Sequence, residues 1–111
     1  MNVAADGAVI ERLYRTIASR KGGDTTLSYT ARLFAKGRNK IAQKFGEEAV
    51  ETVIAACQGQ PAELIGESAD MLYHLLVLWA DAGVAPAEVY AELSRREGIS
   101  GVDEKRSRHK G

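Results

Sequence analysis

Apolar positions recur at helical spacing along most of the chain. No stretch shows sustained period-two alternation with β-branched residues, so the pattern predicts an all-α protein. A first helix runs from about Ala8 to Ser19 with Val9, Ile10, Leu13 and Ile17 on one side, and the cluster Lys21-Gly22-Gly23-Asp24 ends it. Ser28 caps a short second helix carrying Leu33 and Phe34, which Gly37 closes. The third helix extends from about Arg38 to Cys57. After Gln58-Gly59-Gln60, Pro61 takes the favoured first position of a fourth helix that reaches Ala82. Gly83 stops it, Pro86 opens a fifth helix to about Glu97, and residues 98–111 are expected to be a polar, mobile tail. The short link between the third and fourth helices predicts an antiparallel hairpin at the centre of a bundle of about five helices, spanning 1–111 as one domain.

The polar positions on that hairpin are unusually confined. A helical wheel puts Lys40, Lys44, Glu47, Glu48 and Glu51 within an arc of roughly 100°, with Ile41, Phe45, Ala49, Val53 and Ala56 beside it and Val50, Ile54 and Cys57 behind. On the next helix Glu63, Glu67, Asp70, His74 and Asp81 fall within roughly 60° of a surface that is otherwise Leu, Ile, Val, Met and Trp. A helix this apolar needs cover almost all round, more than three short companions in a small chain supply, so a partner subunit is expected.

If the two seams face one another, Glu47, Glu48, Glu51, Glu67 and Asp70 share a cleft. Two like charges at 4 Å cost about 4 kcal/mol at an effective dielectric near 20, so such a cluster takes up protons or collects cations. The donors are hard oxygens with no thiolate, a set that suits magnesium or manganese rather than zinc or copper. Magnesium commonly bridges carboxylates to phosphate, which points to a phosphate-bearing substrate attacked by an activated water, with Lys40, Lys44 and Arg38 offsetting its charge. No GxxxxGK[ST] loop is present.

Plainer roles are expected for several neighbours. Lys44 with Glu47 and Glu48 has the spacing of a surface ion-paired face. Glu67 and Asp70, by contrast, have no basic residue three or four positions away. His74 is expected to be packed or hydrogen-bonded rather than a ligand, Tyr73 and Trp79 to lie in the core or an interface, and Cys57 to be an inert small apolar residue. Lys105, Arg106, Arg108 and Lys110 form a basic tail expected to be solvated.

Composition narrows the field further. Of 111 residues 45% are apolar, and 15 Lys plus Arg balance 15 Asp plus Glu, so no overall basic field exists for nucleic acid. One cysteine and two histidines build neither a disulfide framework nor a Cys/His zinc site, which fits a reducing cytoplasm. The start MNVAADGAVIE lacks a positive segment followed by an apolar run, and the stretch Leu75 to Ala80 is too short to span a bilayer, so a soluble protein without membrane association is expected.

The run Lys44-Phe45-Gly46-Glu47-Glu48-Ala49-Val50-Glu51, followed after 15 residues by Glu67-Ser68-Ala69-Asp70, resembles the ExxE…ExxD signature of the all-α, MazG-like nucleoside triphosphate pyrophosphatases. With Ser28 to Phe34, the Asp70-Met71-Leu72-Tyr73-His74 segment and the tail Ser100-Gly101-Val102-Asp103-Glu104-Lys105, the chain is more particularly similar to the phosphoribosyl-ATP pyrophosphohydrolase family of histidine biosynthesis. The bare acidic spacing is unspecific; the extended motifs together are specific. This resemblance implies magnesium-dependent hydrolysis of phosphoribosyl-ATP to phosphoribosyl-AMP and pyrophosphate by a homodimer. It implies Glu48, Glu51, Glu67 and Asp70 as metal ligands, Glu47 and Glu48 as catalytic acids with the choice of base open, and Lys44, Arg32, Ser28 and Thr30 as substrate contacts. Two alternatives stand beside it: a relative hydrolysing ordinary or damaged nucleoside triphosphates, and a non-catalytic helical dimer that binds a partner. A ferritin-like diiron bundle is disfavoured, since neither hairpin helix carries the Glu-x-x-His pair such sites use.

Overall fold

The computed structural model describes residues 5–109, and these form six helices with no strand among them. The helices are α1 (Ala8–Ser19), α2 (Tyr29–Lys36), α3 (Arg38–Gln58), α4 (Pro61–Ala82), α5 (Pro86–Arg96) and α6 (Gly101–His109). Boundaries follow the expected local chemistry. The Ser28 side chain accepts the Ala31 N–H at 3.1 Å, and Pro61 and Pro86 open α4 and α5. One residue, Gly37, separates α2 from α3 at φ 94°, a conformation that a side chain would strain. Gly59 closes α3 in the left-handed region, and a single further residue, Gln60, brings in α4, so the two longest helices lie antiparallel as a hairpin.

Ile17 of α1, Leu33 and Phe34 of α2, Ile41 of α3 and Leu76 and Val77 of α4 form the buried core. It occupies one end of the hairpin, where α3 begins and α4 finishes. Tyr14 locks α1 to the turn after α4 by donating its hydroxyl to the Val84 carbonyl at 2.9 Å. Arg38 closes the same end, with Nε 2.5 Å from Asp81 Oδ2. The opposite end of the hairpin has no such cover among the described residues: Val50, Val53, Ile54 and Ile65 are half or more exposed. The radius of gyration is 16.2 Å, against about 13 Å for a compact chain of this length.

The C-terminal stretch departs from the sequence expectation, which left 98–111 as an irregular tail: residues 101–109 form α6, raising the helix number from five to six. The cause is electrostatic rather than apolar. Glu104 is buried, accepts a hydrogen bond from Arg95 Nη2 at 2.6 Å, and pairs by charge with Arg108 Nε at 3.1 Å and Arg96 Nε at 3.6 Å. On α5 the same two arginines, Arg95 first and then Arg96, hydrogen-bond Glu92 and hold its carboxyl down at about 2. Lys110 lies outside the described residues, whereas Lys105, Arg106 and Arg108 are exposed as expected.

Candidate metal and phosphate site

The uncovered half of the hairpin carries the acids. Glu48 on α3 and Glu67 and Asp70 on α4 each offer a carboxylate oxygen, and these oxygens all lie within 4.8 Å of one another. Glu67 and Asp70 are one turn apart on the same face of α4, and α3 runs antiparallel opposite them. Glu51 joins from the next turn of α3. With Glu63, Glu67 and Asp70 it lines a cleft of about 460 Å³ between the helices. His74 takes the packed role expected of it: the ring is buried, Nδ1 donates to the Asp70 carbonyl at 2.8 Å, and Nε2 therefore accepts from Tyr29 Oη at 3.1 Å.

The charge state records the crowding. Burial pushes the Glu48 carboxyl above its ordinary value and the negative charge of Glu51 adds to the shift, followed by that of Asp70, with His74 opposing. Glu67 is raised too, by burial first, then by a hydrogen bond and charge from Glu51, and by Asp70 and Glu48. One oxygen of each, Glu48 Oε2 and Glu67 Oε2, is buried without a hydrogen-bond partner among the described residues. A buried carboxylate oxygen left unpaired is costly, and a proton or a cation is what relieves it.

Three of the residues named by sequence thus meet as expected and Glu51 adjoins them, while the others sit elsewhere. Glu47, expected in the same cleft, is turned out of it. One residue along a helix is a rotation of about 100°, and this aims Glu47 at Lys44 Nζ, 3.6 Å away, and at Gln43 Nε2, 3.2 Å away. Ser28 is engaged as the cap of α2, and Thr30 is buried and hydrogen-bonded to the Tyr73 hydroxyl. Arg32 donates to the Thr25 carbonyl at 2.9 Å and lies over the Tyr29 ring. Arg38, grouped with Lys40 and Lys44 as a phosphate counter-charge, is occupied by Asp81. Tyr73 and Trp79 pack on the core as expected, and Cys57 is an exposed free thiol rather than a packed one.

Sequence reasoning gave no role to Thr52. Its hydroxyl lies 2.8 Å from the Glu48 carbonyl and 3.1 Å from the Glu67 carbonyl, so one donor is shared between two acid-bearing turns. Threonine commonly bonds back to the fourth residue before it; the second acceptor depends on the register of α4, which no spacing along α3 reveals.

Neutralising one acid has a definite expected outcome. A carboxyl raised in the folded state favours folding below its unfolded value and loses that contribution as pH rises through the folded one. The metal-free protein is therefore strained at neutral pH by Glu48 and Glu67. Glu67→Gln is predicted to raise the melting temperature of the metal-free protein at pH 7, to leave it unchanged near pH 4, and to abolish any rise on adding magnesium. Differential scanning fluorimetry across pH checks all three.

Comparison with known proteins shows the family. The family model described as phosphoribosyl-ATP pyrophosphohydrolase matches residues 10–97. A protein named phosphoribosyl-ATP pyrophosphatase from Paramagnetospirillum magneticum is 68% identical over 108 residues, covering 97% of this chain and 99% of that one. Proteins of the same name from Gluconobacter oxydans (64% identical; 92% of this chain, 77% of that one) and Azospirillum brasilense (60% identical; 91% of each) are also similar.

Proposed function

Because the chain belongs to the phosphoribosyl-ATP pyrophosphohydrolase family, we propose that it hydrolyses phosphoribosyl-ATP to phosphoribosyl-AMP and pyrophosphate in histidine biosynthesis, with its acidic cleft as the reaction site. The observation that carries the placement is the convergence of Glu48, Glu67 and Asp70, whose ligand atoms lie within 4.8 Å of one another. Two of these residues keep a buried oxygen unpartnered.

The donor set fits a hard divalent cation, magnesium or manganese: carboxylate oxygens in a cleft open enough to leave room for water and phosphate. Glu48, Glu67 and Asp70 would hold it, with Glu51 completing the set from the neighbouring turn. Such an ion supplies charge neutralisation for phosphate oxygens and lowers the pKa of water. The chain's own residues do the rest. The shared Thr52 hydroxyl keeps the Glu48 and Glu67 turns in register, and the Nδ1 contact of His74 steadies the Asp70 turn. The proton of the attacking water passes to Glu48, the α3 acid turned into the cluster, as the bond from the water oxygen to phosphorus forms and the bond to the pyrophosphate leaving group breaks. Lys44, on the flank of the cleft, offsets substrate charge. Arg32, Ser28 and Thr30, the further substrate contacts of this reading, lie in and just before α2, where Arg32 reaches the Thr25 carbonyl, Ser28 caps the helix and Thr30 meets the Tyr73 hydroxyl.

A second copy of the chain completes the protein in this reading. The accessible surface is 7605 Å², against about 6000 Å² expected for a compact 12 kDa monomer. That excess is on the scale of what each partner contributes to a stable interface. The apolar residues left bare on α3 and α4 are the surface for it. Among the described residues no helix is long and apolar enough to cross a membrane, and an exposed free Cys57 fits the reducing cytoplasm where we place the enzyme.

The test compares pyrophosphate release from phosphoribosyl-ATP, ATP and dUTP, each with and without magnesium. Turnover of phosphoribosyl-ATP alone, and only with the metal, is expected. Equal turnover of ATP would transfer the protein to a general nucleoside triphosphate role.

A further inference from the structure

A second groove lies beside the acidic cleft, where α2 ends and α3 begins. It encloses about 260 Å³ and is lined by Tyr29, Leu33, Lys36, Lys40, Lys44 and Glu47. Lys40 and Lys44 stand one turn apart on α3, and Lys36 arrives from α2 across the single residue Gly37. Three ammonium groups face one carboxylate in this groove. Lys44 has Glu47 at 3.6 Å, and neither Lys36 nor Lys40 is within ion-pairing distance of an acid among the described residues.

Neighbouring residues of α3 divide the two sites. Glu47 turns into the lysine groove, whereas Glu48 turns into the acidic cluster. At 1.5 Å per residue, Lys44 and Lys40 lie about 6 and 12 Å along the axis from Glu48. A ligand anchored at the acids and extending along α3 therefore meets a row of cations. Tyr29 keeps the mouth of the groove formed, since its hydroxyl is tied to the buried His74 ring at 3.1 Å.

We propose that Lys36 and Lys40, together with Lys44, form an anion subsite that receives a substrate phosphate other than the one held at the acidic cluster. The proposal rests on the hydrolase reading, under which the substrate carries two such groups: the terminal phosphates that leave as pyrophosphate, and the phosphate of the phosphoribosyl unit. Both are multiply charged phosphates, for which lysine ammonium groups are suitable point-charge partners.

The double variant Lys36→Gln, Lys40→Gln is assayed with magnesium beside wild type. KM for phosphoribosyl-ATP is expected to rise about tenfold, with kcat within about threefold of wild type, because charge-assisted contacts to a bound phosphate are lost. Lys36→Arg, Lys40→Arg, which keeps the charge, should restore KM. Inhibition constants for inorganic pyrophosphate and for ribose 5-phosphate separate the two sources. Weakened inhibition by pyrophosphate assigns the groove to the leaving end. Weakened inhibition by ribose 5-phosphate, with ATP inhibition untouched, assigns it to the sugar-phosphate end; either result upholds the subsite. Unchanged KM together with both inhibition constants unchanged overturns it, and wild-type turnover would then leave the hydrolase reading standing. Were wild type itself inactive, that reading would fall, and calorimetric binding of pyrophosphate and ribose 5-phosphate to wild type and variant would still decide the groove.

Discussion

Glu48→Gln and Asp70→Asn each lower the rate of pyrophosphate release from phosphoribosyl-ATP by at least about a hundredfold, a loss of about 2.7 kcal/mol in transition-state stabilisation. Both substitutions preserve side-chain shape, so the effect isolates charge and ligand character. Glu48 presents an oxygen that is buried and has no hydrogen-bond partner, and an amide nitrogen in its place offers a cation nothing. Asp70 approaches from the opposite helix, and its carboxylate is within 4.8 Å of both glutamates. The fold is expected to be untouched, because the buried core lies at the other end of the hairpin, around Ile41, Leu76 and Val77. Circular dichroism and gel filtration identical to wild type, with turnover lost, are the paired readouts. Near-normal turnover in either variant refutes the assignment of that residue.

Introducing charge on the bare face of the hairpin is expected to take the protein apart. Val53 is 62% exposed and Ile65 70% exposed, values that leave large apolar side chains in water unless a second chain covers them. Each such side chain, once covered, contributes about 1.5–3 kcal/mol, and two-fold symmetry counts each position twice. The double variant Val53→Asp, Ile65→Asp is therefore predicted to raise the dimer dissociation constant by at least about a thousandfold. Sedimentation equilibrium measures it directly. A wild-type protein that sediments as a monomer, or a variant that dimerises as tightly as wild type, contradicts the proposed interface.

Much of this architecture is legible in the sequence because it depends on local rules. Pro61 and Pro86 open helices, Gly37 and Gly83 end them, and the link at Gly59 and Gln60 is too short for anything but an antiparallel turn. The convergence of Glu48, Glu67 and Asp70 follows once two narrow polar seams lie on helices paired in that way. What escaped depends on contacts between elements. The α6 segment has no apolar stripe, and its helix is pinned by Arg95 reaching Glu104 across a turn, which periodicity does not register. Glu47 and Glu48 fall in one arc on a wheel, yet of the two only Glu48 turns toward Glu67 and Asp70, while Glu47 faces Lys44. Ser28 and Thr30 sit in a motif that the family resemblance implies as substrate contact, and the bonds by which they cap α2 and meet Tyr73 are further contacts that the motif does not reveal. The Thr52 staple needs the register between α3 and α4, which appears only when both helices are in place.

Manganese, used as a paramagnetic stand-in for magnesium, tests the centre of the account most directly. Titrated into wild type, Glu48→Gln and Asp70→Asn at neutral pH and followed by electron paramagnetic resonance, it should bind saturably to wild type, bind far more weakly to both variants, and be displaced by magnesium. Equal binding to all three proteins, or none to wild type, would contradict a cation held between α3 and α4.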